Sequence, residues 1–238
     1  MDYNLYYIYS MIIHQIFGLL GDTELPPLFK KCQAKVLDWC TKNNYEYKLW
    51  DVEDCEELIK KYPKYADMYF NVRYSIMRVD IIRFVILYHI GGCYIDLDIA
   101  PNISKLLEYG YDLAFNTNIK NKKSCIDMEI IQAKKSNPTL FLFLDYVIDQ
   151  IKDKNKVKIY DTWKIRYVYQ TTGPRSLTRF LRLNNNNIQY NLYHTNTAED
   201  KPPNTAVGFD AGIIGDEDFF SYQSLSYKKK MDIINLSI

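Results

Sequence analysis

Apolar residues crowd positions 7–17 and stop at Gly18, which predicts one buried strand followed by a turn, and Pro26-Pro27 ends the next loop. Over residues 29–43 the apolar positions move to helical spacing, with Cys32, Val36, Leu37 and Cys40 on one side. Residues 45–50 alternate as a second strand. Asp51 then stands where a helix cap belongs, with Glu53 and Asp54 in the first turn, where the helix dipole favours negative charge, and Cys55, Leu58 and Ile59 behind it. Strand, helix, strand, helix in this order predicts a largely parallel sheet with helices on its faces.

The pattern changes at residues 76–90, which are almost wholly apolar and are broken by Arg78, Asp80, Arg83 and His89. Such a segment predicts a buried helix, not an amphipathic surface one. Gly91-Gly92 ends it. Residues 93–99 read as a strand that puts Asp96 and Asp98 on one face and Ile95, Leu97 and Ile99 on the other, with Pro101 stopping it at a rim. A third strand unit includes residues 111–115. Ser136-Asn137-Pro138 precedes a helix over 140–151, and Thr171-Thr172-Gly173-Pro174 leads into a helix containing Leu177, Phe180 and Leu181. Residues 184–187 form a polar loop, and the tail after Phe220, with Lys228 to Lys230, has no clear pattern.

Composition narrows the class without naming a chemistry. The 238 residues carry 30 Lys+Arg against 29 Asp+Glu, a formal charge of +1, with 47% hydrophobic residues. This is a globular balance, which argues against wholesale disorder and against a nucleic-acid-coating surface. The five cysteines form no CxxC pair, so a reducing compartment is expected. The apolar start lacks a basic leader and soon meets His14 and Gln15, which predicts neither a signal peptide nor an integral membrane segment; the default location is soluble and cytosolic, compatible with peripheral membrane association. The 22 tyrosines are read mainly as compositional bias.

Two constellations carry chemistry. Side chains two apart on a strand project together, so Asp96 and Asp98 can hold a hard divalent cation that neutralises a diphosphate; an isolated pair reads more readily as a solvated strand terminus, and Gly91-Gly92 with Pro101 turns the reading toward a site. Asp80 and Arg83 are neighbours on a helix with little polar surface. They form either an internal ion pair that fixes the helix or a ligand site, with Asp80 accepting hydroxyl hydrogen bonds from a sugar or ribose and Arg83 supporting it or contacting phosphate.

The block SIMRVDIIRFVILYHIGGCYIDLDIAP (residues 75–101), with IIHQIFG (12–18), YKLWD (47–51) and TTGP (171–174), resembles the DxD-containing glycosyltransferases of GT-A fold. These include yeast initiating α-1,6-mannosyltransferases, capsular-polysaccharide sugar transferases and, more distantly, the glucosylating domains of clostridial toxins. The segments lie within the first 180 residues. The resemblance implies an α/β, Rossmann-like nucleotide-sugar-binding fold with a mostly parallel central sheet, forming one domain over 1–238 with a divergent C-terminal third. It implies that Asp98, with Asp96, ligates Mn²⁺ or Mg²⁺ and the donor diphosphate. Asp96 also contacts donor hydroxyls, and Asp80 and Arg83 match the donor-sugar site. Phe17 stands where relatives carry a Trp that stacks on the nucleotide base, with His14 supporting that junction; Phe17 alone reads equally as a core aromatic. Trp50 is read as packing beneath the pocket. The late metal- and phosphate-end residues of the family have no clear counterpart, His194 and Asp210 being the nearest, although His194 also fits a polar turn. Glu129 falls near the acceptor side or, equally, is a surface carboxylate.

The expected activity is transfer of a sugar, with retention of configuration, from a nucleotide donor to a hydroxyl of a glycan, lipid or protein. UDP-sugars are favoured over GDP-mannose. The competing reading is a noncatalytic nucleotide-sugar or carbohydrate-binding module with a degenerated site.

Overall fold

In a computed structural model, residues 11–101, 112–120, 123–153, 164–195 and 208–211 are described. The strand β1 (Ile12–Ile16) leads through a turn at Gly18 to α1 (Pro27–Asn43), which has proline in its first turn and stops at the left-handed Asn44. β2 (Glu46–Trp50) follows, then α2 (Val52–Lys60), capped by the Asp51 carboxylate accepting from the Asp54 amide at 2.8 Å. A further helix, α3 (Pro63–Asn71), precedes the buried α4 (Ser75–Ile90).

α4 ends at Gly91, whose amide bonds the Leu87 carbonyl at 2.8 Å, and β3 (Gly92–Ile95) begins at once. Both glycines have positive φ, 82° and 102°. A side chain on Gly92 would put its Cβ 2.3 Å from the Ile12 carbonyl oxygen, so β3 lies against β1 only because residue 92 has none.

The strand expected over 93–99 is two strands. β3 ends at Ile95, the Asp96 amide makes a last bond to the Glu129 carbonyl (2.8 Å), and the Ile99 amide returns to the Asp96 carbonyl (3.1 Å), closing a turn. The chain then enters β4 (Ile99–Pro101), which pairs elsewhere. Asp96 and Asp98 therefore lie on a turn and not on one strand face. The alternation that predicted one strand persists because Leu97 and Ile99 stay buried through the turn.

The remaining described elements are β5 (Leu113–Lys120), β6 (Lys123–Ala133), α5 (Pro138–Lys152), α6 (Lys164–Thr171), α7 (Pro174–Leu183), β7 (Asn191–Thr195) and β8 (Gly208–Ala211). The sheet order is β2-β1-β3-β6-β5-β7-β8-β4. β1 pairs in parallel with β2 and β3, and β7 with β5 and β8, whereas β6 runs antiparallel to β3 and β5, and β4 antiparallel to β8. The sheet is more mixed than its first four elements imply, because β5 returns directly through β6 without a crossover helix.

Helices cover the sheet in two layers. Val36, Trp39 and Cys40 of α1 pack with Ile13, Cys93, Ile95, Ala114 and Ile130, and α2 through α7 share a larger core with Ile16, Tyr94, Phe115 and Ile131. This is an α/β fold with a central sheet flanked by helices. Among the described residues no helix is long and apolar enough to cross a membrane. Tyr111 and the tail after Phe220 lie outside the described residues.

Candidate active site

Arg83 is the centre of the site. It rises from α4 beneath the end of β3 and is 4% exposed. One terminal nitrogen, Nη1, donates to the Met128 carbonyl on β6 (2.6 Å) and lies 3.4 Å from Asp96 Oδ1, while Nη2 lies 3.3 Å from Asp80 Oδ1. Its Nε donates to the Val79 carbonyl, and the guanidinium sits 4.6 Å from the centre of the Tyr94 ring. The internal Asp80–Arg83 ion pair is thus formed, and it extends to Asp96, whose side chain keeps 26% of its surface.

Each carboxylate has a second partner. Thr172, in the turn between α6 and α7, donates its hydroxyl to Asp80 Oδ2 at 2.7 Å. The Tyr94 hydroxyl donates to Asp96 Oδ1 at 2.5 Å. Burial pushes the Asp80 carboxyl up to about 6, with Arg83 and the Thr172 bond opposing, and raises Asp96 against the pull of Arg83 and Tyr94.

Glu129, read from the sequence as equally a surface carboxylate, is partly buried on β6. Its carboxylate accepts from Asn116 Nδ2 (3.2 Å), and Asn116, wholly buried, accepts the Ile130 amide at 3.1 Å. Burial first, then the charges of Asp127, Asp98 and Asp96, holds the Glu129 carboxyl well above the usual range. Asp127, Asp98 and Asp96 thus lie near enough for their charges to act on Glu129, and the buried Arg83 guanidinium pairs with Asp80 and Asp96. A bare diphosphate would be repelled here, whereas polyhydroxyl ligands and cation-bound phosphates suit the donor set.

Among the described residues no group of three or more His, Cys, Asp or Glu side chains can hold a metal by itself. A hard cation such as Mg²⁺ commonly binds through one or two carboxylates plus substrate phosphates, and Asp96 and Asp98, two residues apart at the turn and both partly exposed, are the carboxylates such an arrangement would use. Asp98, half-buried, is close enough to α1 to raise the Cys32 thiol, though burial is the larger cause.

Phe17 is half-buried just after β1, with its amide bonded to the Trp50 carbonyl at 2.9 Å. His14 is wholly buried, its Nε2 2.9 Å from the Gly91 carbonyl and its Nδ1 accepting from Trp50 Nε1 at 3.2 Å. Trp50, 4% exposed, packs beneath. His194 lies on β7 opposite Thr117 and Gly208, a strand and not a polar turn. Asp210 on β8 pairs with Ala100, two residues beyond Asp98.

The sequence does not single out Tyr94 or Asn116, and it offers Thr172 only within TTGP (171–174), both as a break before a helix and as one of the segments that carry the resemblance, with no role assigned to the residue. Tyr94 stands two before Asp96, a spacing that marks a shared strand face. Asn116 offers no local signal, and TTGP marks the segment of Thr172 without saying which residue it meets.

Residues 26–112 match the family described as glycosyltransferase sugar-binding region containing DXD motif. That span includes Asp80, Arg83, Asp96 and Asp98, and it stops before Asn116, Glu129 and Thr172. The chain is 42% identical over 88 residues to the mannosyl phosphorylinositol ceramide synthase SUR1 of Saccharomyces cerevisiae, covering 37% of this chain and 22% of that protein. It is 37% identical over 101 residues to inositol phosphoceramide mannosyltransferase 3 of Schizosaccharomyces pombe, covering 41% and 27%. The chain spans about a quarter of the length of these curated relatives. One is named a mannosyl phosphorylinositol ceramide synthase and the other an inositol phosphoceramide mannosyltransferase, a branch the sequence motifs do not single out. Among solved structures, PaToxG glycosyltransferase aligns with a TM-score of 0.48 at 17% identity, covering 73% of this chain and 69% of that one.

Proposed function

We propose that this chain is a metal-dependent glycosyltransferase moving a hexose from a nucleotide-activated donor to a hydroxyl acceptor. The observation that supports it most is the buried array in which Arg83 joins Asp80 to Asp96 at the edge of an acidic turn. Such an array is costly to assemble, since each charge must leave water, and it supports polar recognition more readily than stability.

In this reading Asp80 and Asp96 accept hydroxyl hydrogen bonds from the donor sugar through lone pairs that Arg83, Thr172 and Tyr94 leave available. Arg83 opposes the rise that burial imposes on both carboxylates and holds them in register. Phe17 supplies a face for the nucleotide base, and His14 acts from beneath by holding Gly91. Asp98 and Asp96 would hold Mn²⁺ or Mg²⁺, which supplies neutralisation of the donor diphosphate and of the charge on the leaving nucleotide. Retention of anomeric configuration rests on the family resemblance. The fungal relatives' names favour a mannosyl donor, with GDP-mannose the carrier to try first beside the UDP-sugars, and a polyhydroxyl lipid headgroup as acceptor. A single domain over 1–238, and roles for His194 and Asp210 at the phosphate end, belong to the same proposal.

Replacing Asp96 and Asp98 together by Asn should lower Mn²⁺-dependent donor cleavage by at least about a hundredfold while the protein still folds. Donor cleavage at the wild-type rate in the double variant, with chelator present, would overturn the metal assignment. Wild-type protein that binds sugar nucleotide yet turns over none, with any acceptor, would instead support the noncatalytic module.

A further inference from the structure

Thr172 is 1% exposed, and its hydroxyl reaches Asp80, 92 positions earlier in the chain, at 2.7 Å. Its place is fixed by backbone. The amides of Thr172 and Gly173 both bond the Val168 carbonyl, at 3.1 and 2.9 Å, closing the end of α6. A Cβ on Gly173 would come within 3.0 Å of the Tyr169 Cα, so the turn has no slack. α7 starts at the next residue and is tied to β6 through Thr178, whose hydroxyl accepts from the Ile126 amide (3.1 Å) and donates to its carbonyl (3.2 Å). Leu177, Phe180 and Leu181 bury the same helix in the core.

Asp80 has torsional freedom of its own, and its partner Arg83 is shared with Asp96 and two backbone carbonyls. The hydroxyl of Thr172 is the contact that comes from a separate, rigid part of the fold. Two donors on opposite oxygens set the plane of the carboxylate, and with it the directions of the remaining lone pairs. We propose that Thr172 is a positioning residue for donor-sugar recognition: its hydroxyl fixes the plane of the Asp80 carboxylate so that the free lone pairs point at sugar hydroxyls. This rests on the transferase reading and lies outside the segment matched by the family.

The test compares wild type, Thr172→Val and Thr172→Ser by calorimetric titration in Mn²⁺. The probes are UDP and GDP, then UDP-glucose, UDP-galactose, UDP-N-acetylglucosamine and GDP-mannose. Valine keeps the shape and removes the hydroxyl; serine keeps the hydroxyl. Thr172→Val should weaken the sugar nucleotide preferred by wild type about tenfold while binding the matching nucleoside diphosphate within about twofold of wild type, and Thr172→Ser should stay within about threefold for both. Equal loss for both ligands in the valine variant, no loss at all, or serine falling as far as valine overturns the proposal. Serine also decides the matter should valine unsettle the fold. Wild-type protein that binds none of the six probes overturns the transferase reading, and this is seen before any substitution.

Discussion

At the scale of single residues, His14 shows how a titratable group can serve a site it does not face. Trp50 can only donate, so Nδ1 of His14 is an acceptor and Nε2 carries the proton given to the Gly91 carbonyl. The ring is therefore neutral. Burial lowers its pKa to about 4, with the Gly91 bond opposing and Lys48 adding to the fall. The folded value lies below the unfolded 6.5, so the stability this ring contributes is complete above pH 6.5 and is lost as the pH falls toward 4. For His14→Gln, urea unfolding at pH 7 and at pH 4.5 should show the deficit against wild type shrinking by roughly 2–3 kcal/mol at the lower pH. A deficit independent of pH would mean that the ring is protonated or solvated in the folded state. The sequence placed His14 at the strand-to-loop junction, but that the bonding partner is a glycine carbonyl 77 residues away has no local trace.

At the scale of elements, the α4–Gly91–Gly92–β3 unit was legible because everything it needs is contiguous: an apolar run too uniform for a surface helix, two glycines, then an apolar strand. Gly92→Ala should cost at least about 2 kcal/mol in urea unfolding, since positive φ and the Ile12 carbonyl act together; stability equal to wild type would show that β1 and β3 can separate there at no cost. What was misread is equally physical. The turn at 96–98 hides in an alternating pattern because Leu97 and Ile99 remain buried on either side of Asp98. α3 falls in a stretch for which the sequence pattern predicts no element. In the fold, Tyr69 is wholly buried, Tyr65 sits 4.5 Å from Phe141, and Tyr88 stacks on Phe141 at 3.6 Å. Among the described residues, Tyr65, Tyr69, Tyr74, Tyr94 and Tyr167 are core residues.

At the scale of the whole molecule, the candidate site is assembled by the sheet. β3 and β6 bring Asp96 beside Glu129, β5 adds Asn116, α4 inserts Arg83 from below, and the α6–α7 turn closes over Asp80 with Thr172. β8 brings Asp210 opposite Ala100 by strand pairing alone. The half of this arrangement carried by residues 80–98 lies within one continuous segment and within the family match. The other half depends on partners drawn from residues 116–172: Asn116 has no local trace, and TTGP and Glu129 are visible in the sequence without the contacts they make. In the proposed reading these parts form one metal-dependent site for a sugar nucleotide. It is tested most directly by titrating the wild-type protein with UDP-glucose, UDP-galactose, UDP-N-acetylglucosamine and GDP-mannose, first in Mn²⁺ and then in chelator. Saturable binding of one donor in preference to the others is expected, abolished by chelator and by the Asp96→Asn, Asp98→Asn double variant; binding of no donor, or binding indifferent to both metal and carboxylates, would rule out such a site.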